Sequence, residues 1–435
     1  GSRPKFSDPW TTKFLPGFSP KLRGRQRRRQ LEALRRHREN LRSESLSDLA
    51  SLFDFVLPIE DVAEASRTER DRIFPEPVVF WAWISQILGG NESCSRANAA
   101  VQAWHADAGL EVPSANSSSY FRARARLSDE FLDDIDKLCS RHAEARVETH
   151  DRWRGLRVKL VDGTGFDLPD TPENQKNFPQ SSQQKAGCGF PAMSAVITLD
   201  LASGRMEKPS VGDARKHDAR GLHDLLGSFG QDDLVVADRA FCSYDLIGLL
   251  AEGGSHSLMR LHQRRDGKRL WKEGRRQGRN SRLVTWKKPP KPGACGTKHA
   301  QWEALPETME LRLVRVRARG RDGKMRTIYL VTTLLDKTTY PCDEIAGVYL
   351  ERWTIEVRFR DIKTTLGLEE LRARTPEMAE KLLRVVCIAY NLLKALMKEA
   401  TAGVDILLDE IGFKRTVDLV VEFQSCFRGL QNRPR

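Results

Sequence analysis

Leu156-Arg-Val158-Lys-Leu160-Val-Asp162-Gly163-Thr164-Gly165-Phe166 is where the chain changes its period. Leu156, Val158, Leu160 and Asp162 alternate, the two-residue repeat of a half-buried strand, and Gly163-Thr164-Gly165 is expected to break it. Downstream, Met193–Leu201 reads as a second strand that turns at Ala202-Ser203-Gly204 into a third, Met206–Val211. A helix is expected over Asp213–Phe229. Leu234-Val-Val-Ala237-Asp238 is then a short apolar run of the kind found in a fully buried strand. A helix (Tyr244–Glu252) and a strand (Ser257–Leu261) complete the series. Strands first, then strand-helix-strand, predicts an α/β layer domain with a mixed sheet.

Outward from this core the composition changes. Residues 46–150 read as helical throughout, broken at Pro58, Pro75, Pro77, Gly89-Gly90 and Gly109. Within them, a helix over Arg96–Ala108, a turn and a second helix over Ser117–Leu127 read as a helix-turn-helix. Serines stand at the second helix's N-cap, and Arg122, Arg124 and Arg126 are its candidate DNA contacts. Ahead of it, Lys21–Arg42 holds ten basic residues, Arg27 and Arg28 among them, against Glu32 and Glu39. This arm (1–45) is either a solvated tail or a phosphate-binding element. From Arg260 to Lys298 fourteen basic residues face only Asp266 and Glu273. With strands expected at Leu311–Val316 and Thr327–Thr333, 262–338 reads as a basic, β-rich insertion in a domain spanning 151–375. Residues 376–435 read as helical, with an apolar stretch from Leu382 to Leu396 that must be core or interface.

The 435 residues carry 72 Lys and Arg against 59 Asp and Glu, a net charge of +13, which favours a polyanionic partner. The longest apolar run, Val78–Ile84, is far too short to cross a membrane. No signal peptide is expected, and the opening Gly1-Ser2 reads as an expression scar. Eight cysteines scattered singly point to a reduced intracellular protein, with buried thiols favoured over a zinc site or disulfide framework.

On a helix beginning near Asp343, with Tyr349 at zero and about 100° per residue, Arg352, Glu356 and Lys363 fall at about −60°, −20° and −40°. All four share one stripe beside a core stripe of Val348, Ile355, Phe359, Ile362 and Leu366. Alone, that is an ordinary amphipathic helix with surface salt bridges. Asp162 and Asp238, however, end buried strands, where an acid is costly unless compensated. Two strand-end aspartates and a helix glutamate offer hard oxygen ligands for two Mg²⁺ ions, with Tyr349, Arg352 and Lys363 as phosphate ligands beside them.

Tyr349-x2-Arg352-x3-Glu356-x6-Lys363 resembles the YREK signature of the bacterial DDE insertion-sequence transposases of the IS-four family. So do Val161-Asp162-Gly163-Thr164-Gly165-Phe166 with Leu168-Pro169-Asp170-Thr171, Gly212-Asp213-Ala214-Arg215-Lys216-His217-Asp218, and Ala237-Asp238-Arg239-Ala240-Phe241; the resemblance covers about 80–395. It implies a ribonuclease-H-like catalytic domain interrupted by a β-rich insertion, preceded by an all-α DNA-binding domain and followed by a helical region. It implies cut-and-paste transposition on double-stranded DNA, transposon ends and target, through a synaptic homodimer. Asp162, Asp238 and Glu356 become the triad for Mg²⁺ (or Mn²⁺), and Tyr349, Arg352 and Lys363 contact the terminal phosphate. Relatives form a DNA hairpin with a flipped base stacked on an aromatic of the strand leading to the YREK helix; here Tyr329 takes that place, with strand packing as its other reading. A bacterial cytoplasmic, nucleoid-associated protein is expected. The rival readings are a ribonuclease-H-like nuclease that cuts without joining, and a domesticated transposase derivative that only binds DNA. A pure binder has no use for buried acids.

Overall fold

The computed structural model describes residues 49–68, 72–107, 111–182, 185, 187–214, 218–293, 296–319, 325–401 and 411–421. Arg27, Arg28 and the rest of the basic arm, and His217, lie outside the described residues.

One nine-stranded sheet organises the molecule, in the order β3-β2-β1-β4-β5-β9-β8-β7-β6. The strands are β1 (Arg157–Asp167), β2 (Ala192–Asp200), β3 (Ser210–Asp213), β4 (Asp233–Ala237), β5 (His256–Arg260), β6 (Arg275–Arg276), β7 (Ser281–Lys287), β8 (Thr308–Arg319) and β9 (Met325–Thr332). β1, β2 and β3 pair antiparallel, while β4 and β5 run parallel to β1. This order and these directions make the first five strands a ribonuclease-H-like sheet. Segment 262–338 adds β6–β9 to that same sheet, through antiparallel pairing of β5 with β9.

Side-chain parity divides the core. Val158 and Leu160 on β1, Val236 on β4, Leu258 on β5 and Leu330 on β9 enter one apolar cluster. Val161, Val235, Ala237, Met259 and Val331 enter another on the opposite face. Both faces are covered, so the layers are helix, sheet, helix. We label the principal helices α1 (Glu76–Leu88), α2 (Cys94–Asp107), α3 (Ser118–Arg126), α4 (Asp129–Ala145), α5 (Asp218–Asp224), α6 (Tyr244–Glu252), α7 (Cys342–Glu351), α8 (Trp353–Arg360) and α9 (Pro376–Thr401). α5 and α6 cover the second face together with Trp286 and Trp302, which are core residues. α1, α4, α7, α8 and α9 cover the first. The apolar stretch Leu382–Leu396 is this layer's buried centre: α9 is apolar nearly all round because α1 and α4 pack on it as well as the sheet.

Several local expectations shift. The third strand starts at Ser210, with Met206 making only a bridge to Leu199, and the helix expected over Asp213–Phe229 is confined to Asp218–Asp224 and a 3₁₀ turn at Leu226–Ser228. β1 is not broken at Gly163-Thr164-Gly165; it continues to Asp167, because β2 keeps pairing with it as far as Ala192.

The helical segment before β1 does not stand apart from the sheet. α1 and α4 join the main core, and α4 is tied to α9 by Arg384 with Asp129 (2.7 Å) and Asp133 (2.5 Å). Only α2 and α3 project, with a small core of their own built on Val79, Val101 and Tyr120. Their connection is held by Asn98 Nδ2 donating to Ser114 O (2.9 Å) and Gln102 Nε2 to Pro113 O (2.8 Å). Ser117 precedes α3 but makes no capping bond; Asn116 Oδ1 accepts from Ser118 N at 2.9 Å instead. No described helix is long and apolar enough to cross a membrane.

Candidate active site

β1 and β4 pair in parallel with Val161 opposite Ala237, so Asp162 and Asp238 are the next residues of neighbouring strands. Both share the parity of Leu160 and Val236 and therefore face the α7–α8–α9 layer. β4 ends at Ala237, whereas β1 runs on beside β2 alone. The sheet opens at Asp162, at the carboxyl ends of its parallel strands, where open α/β sheets place their ligands.

The helix over this opening is not uniform. α7 ends at Glu351, α8 begins at Trp353, and a π turn follows at Asp361–Thr365. Ile355, Phe359, Ile362 and Leu366 remain the buried stripe, and Tyr349 is 8% exposed beside them. The signature residues do meet at the strand ends. Arg352 Nη1 donates to Asp162 Oδ2 at 2.9 Å and its Nη2 to Glu356 Oε1 at 2.8 Å, so one guanidinium bridges two of the acids. Lys363 Nζ donates to Gly165 O at 2.7 Å and lies 4.9 Å from the centre of the Phe166 ring. The π turn places it further along β1 than a regular helix would.

Charge is out of balance here. Burial pushes the Asp162 carboxyl up to about 6 against the pull of Arg352, with Asp238 and Glu356 adding to the rise. Asp238 accepts from Ala240 N at 2.6 Å and forms no ion pair with a described residue. Burial likewise lifts the Tyr349 phenol to about 12, so it stays a protonated donor at neutral pH. Burial lowers the Lys363 ammonium from its ordinary value.

Among the described residues no three acids, histidines or cysteines form a closed metal-holding group. The donor set nevertheless fits a hard divalent cation. It consists of carboxylates alone, and Asp162 and Glu356 already converge on the guanidinium, a cation standing between them.

Other expected contacts fall elsewhere. Tyr329 has the parity of Val331, so its ring lies on the face opposite the acids, 6.0 Å from Trp271, and a base held at Asp162 cannot stack on it. Arg124 is a core residue of the projecting helix pair: its guanidinium stacks 4.1 Å over Trp83 and donates to Gln86 Oε1 at 3.1 Å, buried away from any DNA on the outer face of α3. Arg122 and Arg126, on the other side of α3, are exposed. Arg260 was not among the expected site residues. It belongs there, because the β5 register puts it in line with Asp238, a relation that only the pairing reveals.

Residues 153–392 match the family model of the transposase DDE domain. The chain is 26% identical over 281 residues to the transposase InsG for insertion sequence element IS4 of Escherichia coli (strain K12), covering 64% of this chain and 60% of that protein. It is 27% identical over 272 residues to the putative transposase InsL for insertion sequence element IS186A of the same organism, covering 56% and 65%. The chain thus spans somewhat less than two thirds of these relatives' length. Among solved structures it is similar to the piggyBac transposase synaptic complex with hairpin DNA, with a TM-score of 0.47 and 11% identity over 90% of this chain and 83% of the other. DDE chemistry depends on divalent metal, in keeping with the carboxylate donor set. With more than half of its length matched by one family model, the chain belongs to the transposase DDE domain family.

Proposed function

We propose that the chain is a DNA transposase of an insertion sequence, working by cut-and-paste. The observation that carries this is the convergence of Asp162 and Glu356 on Arg352 beside Asp238, at the open end of a ribonuclease-H-like sheet. Asp162, Asp238 and Glu356 would hold Mg²⁺, or Mn²⁺, two ions per site, and such a pair would supply activation of a water and charge stabilisation of the leaving oxygen in an in-line displacement at phosphorus.

The remaining steps belong to the chain's own groups. Arg352 leaves the carboxylates for a phosphate, which its fork holds bidentately. Tyr349 donates its phenolic hydrogen to the same strand. Lys363 neutralises charge further along β1. Water nicks one strand, and the freed 3′-hydroxyl then attacks the opposite strand or the target, giving a hairpin or a joined product. The projecting helix pair reads the transposon end through Arg122 and Arg126, the basic arm with Arg27 and Arg28 adds phosphate contacts, and two chains hold two ends in synapsis. In the bacterial cell this places the protein on the nucleoid.

The test is a denaturing-gel assay with labelled strands of the native transposon end in Mg²⁺. Nicking at the element boundary followed by joined or hairpin product is expected. Cutting without joining would instead favour a ribonuclease-H-like nuclease, and end binding without any cutting a domesticated DNA binder.

A further inference from the structure

Two neighbouring parallel strands, β4 and β5, end at the site, beside the point where β1 leaves its pairing with β4 and runs on with β2 alone. Val161 pairs with Ala237, and Ala237 with Met259, so the next residues in register are Asp162, Asp238 and Arg260. Their parity is the same, since Leu160, Val236 and Leu258 two positions earlier all belong to the cluster under α7, α8 and α9. Arg260 is thus the third member of a row whose first two members are acids.

Its state is unusual for an arginine in that position. It is half-buried, yet it forms no ion pair with any described carboxylate, Asp238 beside it included. Its charge reaches the Tyr349 phenol, as does that of Arg352. With no described carboxylate engaging it, this half-buried arginine keeps its fork of donors for a phosphate. Strands lie about 4.8 Å apart, so β5 stands about 10 Å from β1, and Arg260 is placed to meet DNA on the β5 side of the acids while Arg352 meets it at Asp162. Beyond β5 the chain continues with the exposed Arg264 and Lys268. Lys363 over β1, Arg352 at Asp162 and Arg260 at β5 therefore form a line of cations across the strand ends, with the acids inside it.

We infer that Arg260 binds a neighbouring backbone phosphate of the same DNA strand, on the β5 side of the acids, and so sets the direction in which that strand crosses the site. The inference rests on the reading of the chain as a DNA transposase and adds a ligand to it.

Arg260→Ala and Arg260→Lys are compared with wild type for binding to a duplex carrying the terminal inverted repeat of the element that encodes the chain, with Ca²⁺ replacing Mg²⁺ to prevent cleavage. The alanine variant should bind roughly tenfold more weakly at low salt, with the log-log salt slope flatter by about 0.9, the signature of one lost phosphate contact. The lysine variant should recover the slope. Single methylphosphonate substitutions along the strand should reveal one position, next to the scissile phosphate, that weakens wild type and leaves Arg260→Ala indifferent. Unchanged slope and unchanged methylphosphonate pattern in Arg260→Ala, with wild type binding normally, overturn the role of Arg260 and leave the transposase reading standing. A wild-type protein that binds no end and cuts none removes that reading, and this inference with it.

Discussion

Replacing Arg352 by alanine should make the DNA-free protein bind divalent metal more tightly. The guanidinium occupies the space between Asp162 and Glu356 through contacts of 2.9 and 2.8 Å. An incoming cation must displace two charge-assisted hydrogen bonds, each worth about 1.5–3 kcal/mol, while water re-solvates the released side chain. If the net cost is close to one such bond, about 2 kcal/mol, the alanine variant gains roughly 30-fold in affinity. Loss of Arg352 also lets the Asp162 carboxyl rise above its value of about 6, since only the Gly163 N–H then opposes burial, Asp238 and Glu356. The titration therefore belongs at pH near 8, where the carboxyl is still ionised. Free Mn²⁺ followed by electron paramagnetic resonance reads affinity without any turnover. Equal or weaker Mn²⁺ binding by Arg352→Ala would refute the reasoning: the guanidinium would then arrange the carboxylates for metal and not compete with it. The tighter-binding result would mean that a DNA phosphate, by drawing Arg352 away, prepares the site for its ions.

Asp162→Ala, Asp238→Ala and Glu356→Ala should each abolish cleavage while leaving end binding in Ca²⁺ intact; a fully active variant on the gel removes that residue from the triad. Asp200 tests the sheet: burial pushes its carboxyl up, but Lys159 and Arg157 more than offset this and hold it at about 2, below the ordinary 3.8. The roughly 2 kcal/mol this contributes is present above pH 4 and lost as pH falls towards 2, so thermal melts of wild type and Asp200→Asn should converge over that window. Arg124→Ala should destabilise the projecting helix pair by about 1–3 kcal/mol in a urea melt, having removed a buried stack on Trp83, whereas Arg122→Ala and Arg126→Ala should leave stability within about 0.5 kcal/mol and flatten the salt slope of end binding. Gly267→Ala puts a methyl group 2.4 Å from the Tyr329 ring; a loss of about 1–3 kcal/mol on unfolding is expected, with no loss if the ring has room to move.

What could be read from sequence was the alternation along single elements. Leu156 to Asp162 and Leu234 to Asp238 each carry their face in their own parity, which is why both aspartates came out on the correct face, although β1 runs past Asp162 to Asp167. Glu356 and Arg352, one helical turn apart, needed only the helical period. Pairing between distant segments could not be read this way. That Arg260 stands level with Asp238, or that β9 joins β5 and turns Tyr329 away from the acids, depends on register, and nothing in either segment states its partner. Arg124 misled for a different reason: in the run Arg122-Ala-Arg124-Ala-Arg126 the residues look alike, and only packing against Trp83 separates the middle one from its neighbours. The π turn at Asp361 left no local signature either, so a uniform 100° step overran it.

The single sheet has a mechanical consequence for a partner as stiff as duplex DNA. Eight spacings of about 4.8 Å carry β3 to β6 across about 38 Å, close to one helical turn of B-form DNA. A basic segment on a flexible tether could swing to meet its DNA. This one is clamped edge to edge with the strands that carry Asp162 and Asp238 and behaves as part of a fixed ruler. On the transposase reading, the distance between a cut made at these acids and the cations of 262–338 is set when the chain folds, so misfit must be taken up by bending in the DNA or by movement of α2 and α3, the one described part that stands clear of the plate.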